Sequence, residues 1–213
     1  MKLAITVLCM IPLLVLSEGC ENLNADKMKT IGEMKTAKSE DYIEKAKEAK
    51  KFCDNRNYNN RFFILIDLGQ HSGVERFFVW DFNQNKIAHS FLVSHGCCDN
   101  PWGGDNSKNN VETSNVSGSH CSSEGKYLIG QRGYSNWGIN VKYLMHGLEA
   151  SNQNALDRQI VFHGWDRVTD YPVYPRGTVE GWGCPAISNS AMKLMDNKIK
   201  NEKNKKILMW IIK

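Results

Sequence analysis

The sequence predicts a mainly β domain with a few helices, an α+β fold, and three observations carry that expectation. Between residues 61 and 94 three runs rich in aromatic and β-branched side chains follow one another: RFFILIDLG, ERFFVWDFN and KIAHSFLVS. Gly, Asn and Asp bound them, as in strands paired antiparallel through tight turns. The chain closes on another such run, KKILMWIIK. Before it, Ser188 stands as an N-cap to Ala191, Met192, Met195 and Ile199, whose spacing builds one apolar helix face. Hydrophobic residues make up 41% of the 213 and aromatics 10%, enough for a core, which excludes wholesale disorder and a collagen-like repeat.

Taken in order, residues 1–20 read MKLAITVLCMIPLLVLSEGC. Lys2 precedes an apolar run shorter than the ~20 residues of a membrane-spanning helix. With small residues at its end, the run reads as a secretory signal peptide, 1–19, and implies export. Ser17-Glu18-Gly19-Cys20 partly resembles a bacterial lipobox, which would make Cys20 a lipidated N-terminus holding the product at a membrane. Ser17 stands where a lipobox has leucine, and ordinary signal cleavage suits the same residues. Residues 20–58 then form a lipid-anchored tether with a charged helix. Its lysines alternate with acids, Asp41 and Lys45 sit at helical spacing, and Tyr42, Ala46 and Ala49 leave only a thin apolar stripe. Such a segment reads as a solvated helix leading into the domain proper, 59–213.

Within that domain FNQNK makes the turn before the third strand. A loop rich in Gly, Asn and Ser covers 95–123, and loops of this length inside compact domains are usually functional or disordered. A short strand near Lys126–Ile129, a segment at Asn140–Leu148, a short helix around Asn152–Asp157 and the strand RQIVFHG follow.

Charge and cysteine usage narrow the function. Twenty-seven Lys+Arg against 23 Asp+Glu leave +4, spread along the chain without the clustered patch that phosphate binding requires, which argues against a nucleic-acid partner. His71, His89, His95, His120, His163, Cys97, Cys98 and Cys121 are ligand types, yet no Cys-x-x-Cys or His-Glu-x-x-His spacing is present, so no metal site is expected.

Two segments carry chemistry: Ile160-Val161-Phe162-His163-Gly164 and Gly181-Trp182-Gly183-Cys184-Pro185-Ala186-Ile187. A glycine-flanked turn exposes a cysteine and brings backbone N–H groups near it, where they stabilise a developing oxyanion. An imidazole at a strand end accepts the thiol proton, which a free cysteine of pKa ~8.5 mostly retains at neutral pH. The bland readings are a satisfied structural histidine and a small core cysteine.

His-Gly after an apolar strand, then a loop, then Trp-Gly-Cys-Pro-Ala resembles the murein L,D-transpeptidase catalytic domain family, in its Trp-Gly-Cys-Pro branch. Further matches run in order from about residue 60: Val93-Ser94-His95-Gly96, Ser114-Asn115, Ser122-Ser123-Glu124-Gly125, Gly147-Leu148-Glu149, and Arg158-Gln159-Ile160-Val161. The resemblance implies an L,D-transpeptidase-like β-sandwich and a cysteine acyltransferase acting on peptidoglycan stem peptides, as a transpeptidase or carboxypeptidase. It implies Cys184 as nucleophile, His163 as base oriented by the Gly164 carbonyl, and the N–H groups of Gly183 and Cys184 as oxyanion donors. His95, Gly96, Trp182 and Arg176 would bind substrate. No cofactor is implied, and the protein would act as a monomer facing the periplasm or cell exterior. The chain departs from the family at Glu180, Gly181, Trp182 and Ala186, and loses an arginine that would pair a substrate carboxylate; Arg167 or Arg176 is the available replacement. The alternative is a catalytically weak or inactive wall-binding lipoprotein of the same fold, with Trp102 and Trp137 in its binding surface.

Seven cysteines then sort as Cys9 in the signal, Cys20 as lipid anchor, Cys184 as free thiol, and four others. One bridge is expected to tie the long loop, through Cys97 or Cys98, to Cys121 or back to Cys53.

Overall fold

The structure, a computed structural model, describes residues 37–202 and 206–213. The segments that carry the export and lipid-anchor readings, 1–19 and Cys20, lie outside them. Eight strands follow in chain order: β1 Phe62–Asp67, β2 Phe77–Asp81, β3 Lys86–Phe91, β4 Gly125–Tyr134, β5 Val141–Gly147, β6 Val161–Gly164, β7 Ala186–Ile187 and β8 Ile207–Ile212. Among the described residues two α-helices accompany them, α1 Ile43–Asn55 and α2 Asn189–Lys200. Ser188 caps α2 as its sequence position predicts, its hydroxyl accepting from the Ala191 N–H.

The strands form one sheet in the order β3-β2-β1-β8-β4-β5-β6-β7. Antiparallel pairing holds for β1–β2, β2–β3, β4–β5, β5–β6 and β4–β8. It fails for β1–β8 and β6–β7, which run parallel. Both exceptions join strands distant in sequence, whose long connections permit a crossover that a tight hairpin forbids.

This sheet is rolled. β2 and β6 stand five places apart in the strand order, a distance of about 24 Å in a flat sheet at about 4.8 Å per strand. Phe77 of β2 and Phe162 of β6 nevertheless stack with ring centroids 5.6 Å apart. The two edges also meet, because Ser94 N–H, just beyond β3, donates to the Ala186 carbonyl of β7 at 2.8 Å. The result is the sandwich-like fold, closed around a core of Ile64, Val79, Tyr127, Met145 and Met209 and plugged by Met192 and Met195 of α2.

Strand alternation sends the other set outward: Phe63 and Leu65 of β1, Phe78 and Trp80 of β2, Leu208 and Trp210 of β8. Helix α1 covers them with Ala46, Ala49 and Cys53, and Tyr42 just ahead of it packs in the same cluster. The charged helix is therefore docked on the sheet, where the sequence suggested a solvated tether. Its stripe is thin but made of small residues, which let the helix backbone approach closely. Lys126 closes the seam: its Nζ bonds Glu48 at 2.9 Å and lies 3.8 Å from the centroid of the Trp210 ring.

The helix expected around Asn152–Asp157 is a series of turns. Asn152 Oδ1 accepts from the Glu149 N–H and its amide donates to the Lys126 carbonyl, so the side chain supplies bonds that compete with a helix.

Candidate active site

β6 delivers His163 and the turn entering β7 delivers Cys184. Because these strands are parallel neighbours with His163 opposite Ala186, the cysteine two positions earlier lies beside the start of β6. Its Sγ accepts from the Val161 N–H at 3.4 Å and reaches the Gln159 carbonyl at 3.8 Å. Among the described residues no hydrogen bond joins Sγ to the His163 ring. Both nevertheless line one cavity of about 290 Å³, together with Ser94, Trp102, Trp137, Trp165, Trp182, Gly181 and Ala186.

Tautomer and charge follow from the contacts. His163 is buried, and its Nδ1 lies 2.8 Å from the Gly164 carbonyl oxygen, which can only accept. Nδ1 therefore carries the proton, and Nε2 is left as the basic nitrogen. Burial holds the His163 pKa below its ordinary value, partly countered by the Gly164 bond. Burial also pushes the Cys184 thiol up, against the Val161 N–H and the charges of Arg158 and Lys142. The resting site is thus a neutral thiol beside a neutral imidazole.

Two serines hold the turn that presents the thiol. Ser122 Oγ accepts from the Gly96 N–H at 3.0 Å and donates to the Gly183 carbonyl at 3.3 Å. Ser94 Oγ accepts from the Ala186 N–H at 3.1 Å and donates to the Cys184 carbonyl at 3.3 Å. In a trans peptide C=O and N–H point opposite ways, so anchoring the Gly183 carbonyl directs the Cys184 N–H away from Ser122. Among the described residues, the N–H groups of Gly183 and Cys184 meet no backbone carbonyl. Gly183 has φ +95°, and a Cβ there would stand 2.5 Å from the Cys121 carbonyl oxygen, so this position requires glycine. Arg158 braces the same neighbourhood, donating to the carbonyls of Ser114 and Cys121.

Four other predicted positions divide. Trp182 lines the cavity and is 62% exposed. Arg176 instead lines a separate cavity of about 320 Å³ with Arg167 and Asp105. His95 does not line a cleft: it is 0% exposed and both ring nitrogens are engaged. Arg76 Nη2 donates to His95 Nδ1 at 2.7 Å, so Nε2–H donates to Ser107 Oγ at 2.9 Å, and that hydroxyl donates to Glu180 Oε1 at 2.9 Å. This buried relay explains the acid at position 180, and it carries His95 as structure, with its pKa pushed down to about 2 by burial and Arg76. Gly96 is likewise a point of close packing, since a Cβ would stand 2.2 Å from the His120 carbonyl oxygen. The sequence reading missed Trp165 and the clamping roles of Ser94 and Ser122, whose partners are distant in sequence. The long loop is tied by a Cys98–Cys121 disulfide, one of the pairings left open by the sequence, while Cys53 and Cys97 are free and buried.

A rolled β-sandwich with a thiol and an imidazole in one cavity at its joined edges defines the class of domain. The chain belongs to the L,D-transpeptidase catalytic domain family, whose model matches residues 33–208, and so to a class of peptidoglycan-modifying enzymes. Among solved structures it is similar to an L,D-transpeptidase from Xylanimonas cellulosilytica, at 12% identity and TM-score 0.37, over 76% of this chain and 68% of that one. It is also similar to the helical cell shape determining protein Pgp2 from Campylobacter jejuni, at 13% identity and TM-score 0.40, over 70% of this chain and 46% of that one. No curated protein matches.

Proposed function

We propose that the protein is a cysteine acyltransferase acting on peptidoglycan stem peptides, with Cys184 as nucleophile and His163 as base. The observation that supports this best is the shared cavity: Cys184 and His163 face it together, with Nε2 of His163 as the unprotonated nitrogen. Rotation about the Cys184 side chain exchanges the Val161 contact for the imidazole, and Nε2 takes the thiol proton as sulfur attacks the carbonyl at the third stem residue. The N–H groups of Gly183 and Cys184 receive the oxyanion, and Ser122 and Ser94 keep that turn fixed. His163 returns its proton to the leaving amine as the C–N bond breaks, which leaves a thioester on Cys184. An amine or water then attacks the thioester, giving a cross-link or a trimmed peptide.

The same reading places the protein outside the cytoplasm, exported by residues 1–19 and held at a membrane through Cys20. Among the described residues no helix is long and apolar enough to cross a membrane. Incubation of purified protein with muropeptides, comparing wild type and Cys184→Ala by mass spectrometry, tests the reading. Altered stem peptides with wild type alone support it. If neither protein alters them while both bind sacculi, the non-catalytic wall-binding alternative is correct.

A further inference from the structure

The cavity of about 320 Å³ that Arg176 lines shares no lining residue with the cavity of Cys184 and His163. Two arginines line it, both in the connection between β6 and β7: Arg167 near its start and Arg176 nine residues on. Among the described residues neither guanidinium meets a carboxylate. The other arginines are committed: Arg61 to Glu202, Arg132 to Asp196, Arg76 and Arg158 to carbonyls, and Arg56 to the Phe52 ring. Arg176 is, among the described residues, the one arginine whose guanidinium has no hydrogen bond, ion pair or ring contact. The acid of the lining is Asp105, and its Oδ2 already accepts from the Gly177 N–H at 2.7 Å and from Lys108 Nζ at 3.3 Å. The Thr169 and Thr178 hydroxyls donate to the Tyr171 and Ser72 carbonyls. The free side-chain donors of this lining are therefore the two guanidiniums.

The walls that carry these cations are fixed. The Arg167 guanidinium carbon lies 5.3 Å and 5.6 Å from the ring centroids of Trp102 and Trp165, and Nη2 reaches the Gly103 carbonyl at 3.4 Å. Stacking holds the plane of the fork and leaves its other edge free. At Arg176 the backbone is seated on the turn before β2: a Cβ on Gly73 would stand 2.0 Å from the Arg176 carbonyl oxygen. Gly103 N–H donates to the Glu180 carbonyl and Glu180 N–H to the Gly104 carbonyl, both at 2.9 Å, which pins the loop side of the cavity. Two cations without a counter-charge in one concavity raise the local concentration of anions, and a planar fork matches a carboxylate with two parallel bonds. Leu92, Val173 and Val179 complete the lining. A bare inorganic anion leaves these apolar positions wet, whereas an acid with an aliphatic body covers them.

We infer that the Arg167–Arg176 cavity is a binding site for an organic carboxylate with a short aliphatic body. The head group lies between the two guanidiniums and the body packs on Leu92, Val173 and Val179. A small free acid and the C-terminus of a peptide present this same chemistry, and the experiment separates them. The site is distinct from the cavity of Cys184 and His163, and it stands whether or not Cys184 performs acyl transfer.

The test is a binding titration, which does not depend on turnover. Purified protein is titrated with butyrate, acetate and inorganic phosphate at constant ionic strength, and the backbone amides of Gly103, Gly104 and Gly177 are followed by NMR. Butyrate shifts these glycines saturably in wild type and binds more tightly than acetate or phosphate. Arg167→Gln and Arg176→Gln each weaken butyrate about tenfold, the order of one charge-assisted hydrogen bond. Arg176→Lys, which keeps the charge and loses the fork, falls between. Lys86→Gln, which removes the same charge at the start of β3, changes nothing. Arg176→Gln unfolds at the wild-type temperature, since that guanidinium has no partner to lose, so its weaker binding is not misfolding. Acetyl-Ala-Ala is then added as the free acid and as the amide: displacement of butyrate by the acid alone identifies a peptide terminus, and by neither a small free acid. Displacement by both alike, no saturable shift at these glycines, phosphate binding as tightly as butyrate, or full affinity in both glutamine variants overturns the inference. None of these outcomes bears on the acyltransferase reading, which the muropeptide assay decides separately.

Discussion

Ser122 Oγ lies 3.3 Å from the Gly183 carbonyl oxygen, so a buried hydroxyl at the end of the long loop sets the direction in which the Cys184 N–H points. The same oxygen accepts from the Gly96 N–H. Ser122→Ala leaves both backbone groups without this partner, at a stability cost of about 1–3 kcal/mol. If the Cys184 N–H is an oxyanion donor, kcat falls about tenfold, less than the ~10²–10³ of losing a donor outright. Urea unfolding and steady-state turnover on the same preparation check this; destabilisation with kcat unchanged would detach Ser122 from the chemistry.

His95 makes stability sensitive to acid. Its folded pKa, about 2, lies below the ordinary histidine value of 6.5, so between those values the unfolded chain binds a proton that the folded chain refuses. Stability is therefore full above about pH 6.5 and declines as pH falls, by up to ~1.4 kcal/mol per unit from this one group. His163, lowered in the same direction, adds to the slope. Denaturant melts from pH 7 to pH 4 should show a steeper decline in wild type than in His95→Gln, which has no ring to protonate.

The neutral resting pair at the site predicts how the thiol reacts. With the Cys184 pKa raised and that of His163 lowered, alkylation by iodoacetamide should be slow at pH 7 and climb above pH 9, without an ion-pair plateau at lower pH. Peptide mapping of the modified residue at each pH separates Cys184 from the buried Cys53, whose thiol is pushed up to about 12. A plateau between pH 5 and pH 7 would mean that the free enzyme stores a thiolate–imidazolium pair, contrary to these burial effects.

Removal of the Cys98–Cys121 bridge, which spans a sequence separation of 23, should cost about 3 kcal/mol by loop entropy. The loss should also reach the site, since the Cys121 carbonyl is the atom that forces glycine at position 183. Thermal unfolding and turnover of Cys98→Ala/Cys121→Ala check both parts. An unchanged Tm would show that the Arg158 bonds hold the loop without the bridge.

How much of this was legible in the sequence depends on the range of each interaction. The strand runs, the Ser188 cap and the glycine-flanked Cys184 are local: alternation, a hydroxyl three residues before an N–H, and a turn that tolerates positive φ are written in neighbouring residues. His163 and Cys184 were only suggestive as a pair from their strand-end and turn positions; the resemblance to the family's motifs is what joined them, and in the structure both line one cavity. The docking of α1 was not, since a stripe of Tyr42, Ala46, Ala49 and Cys53 looks too thin until an outward apolar face of the sheet is known to need cover.

By itself, the sequence determined most of the strands, the Ser188-capped helix with its apolar face, and the two residue types on which acyl transfer would depend. Only the tertiary structure decided that His95 is a buried link from Arg76 through Ser107 to Glu180, that Cys98 and not Cys97 reaches Cys121, and that four distant tryptophans line one cavity. The reason is physical: rolling the sheet until β3 and β7 meet brings together segments that share no local pattern. Burial, hydrogen-bond direction and cavity shape arise only at that seam.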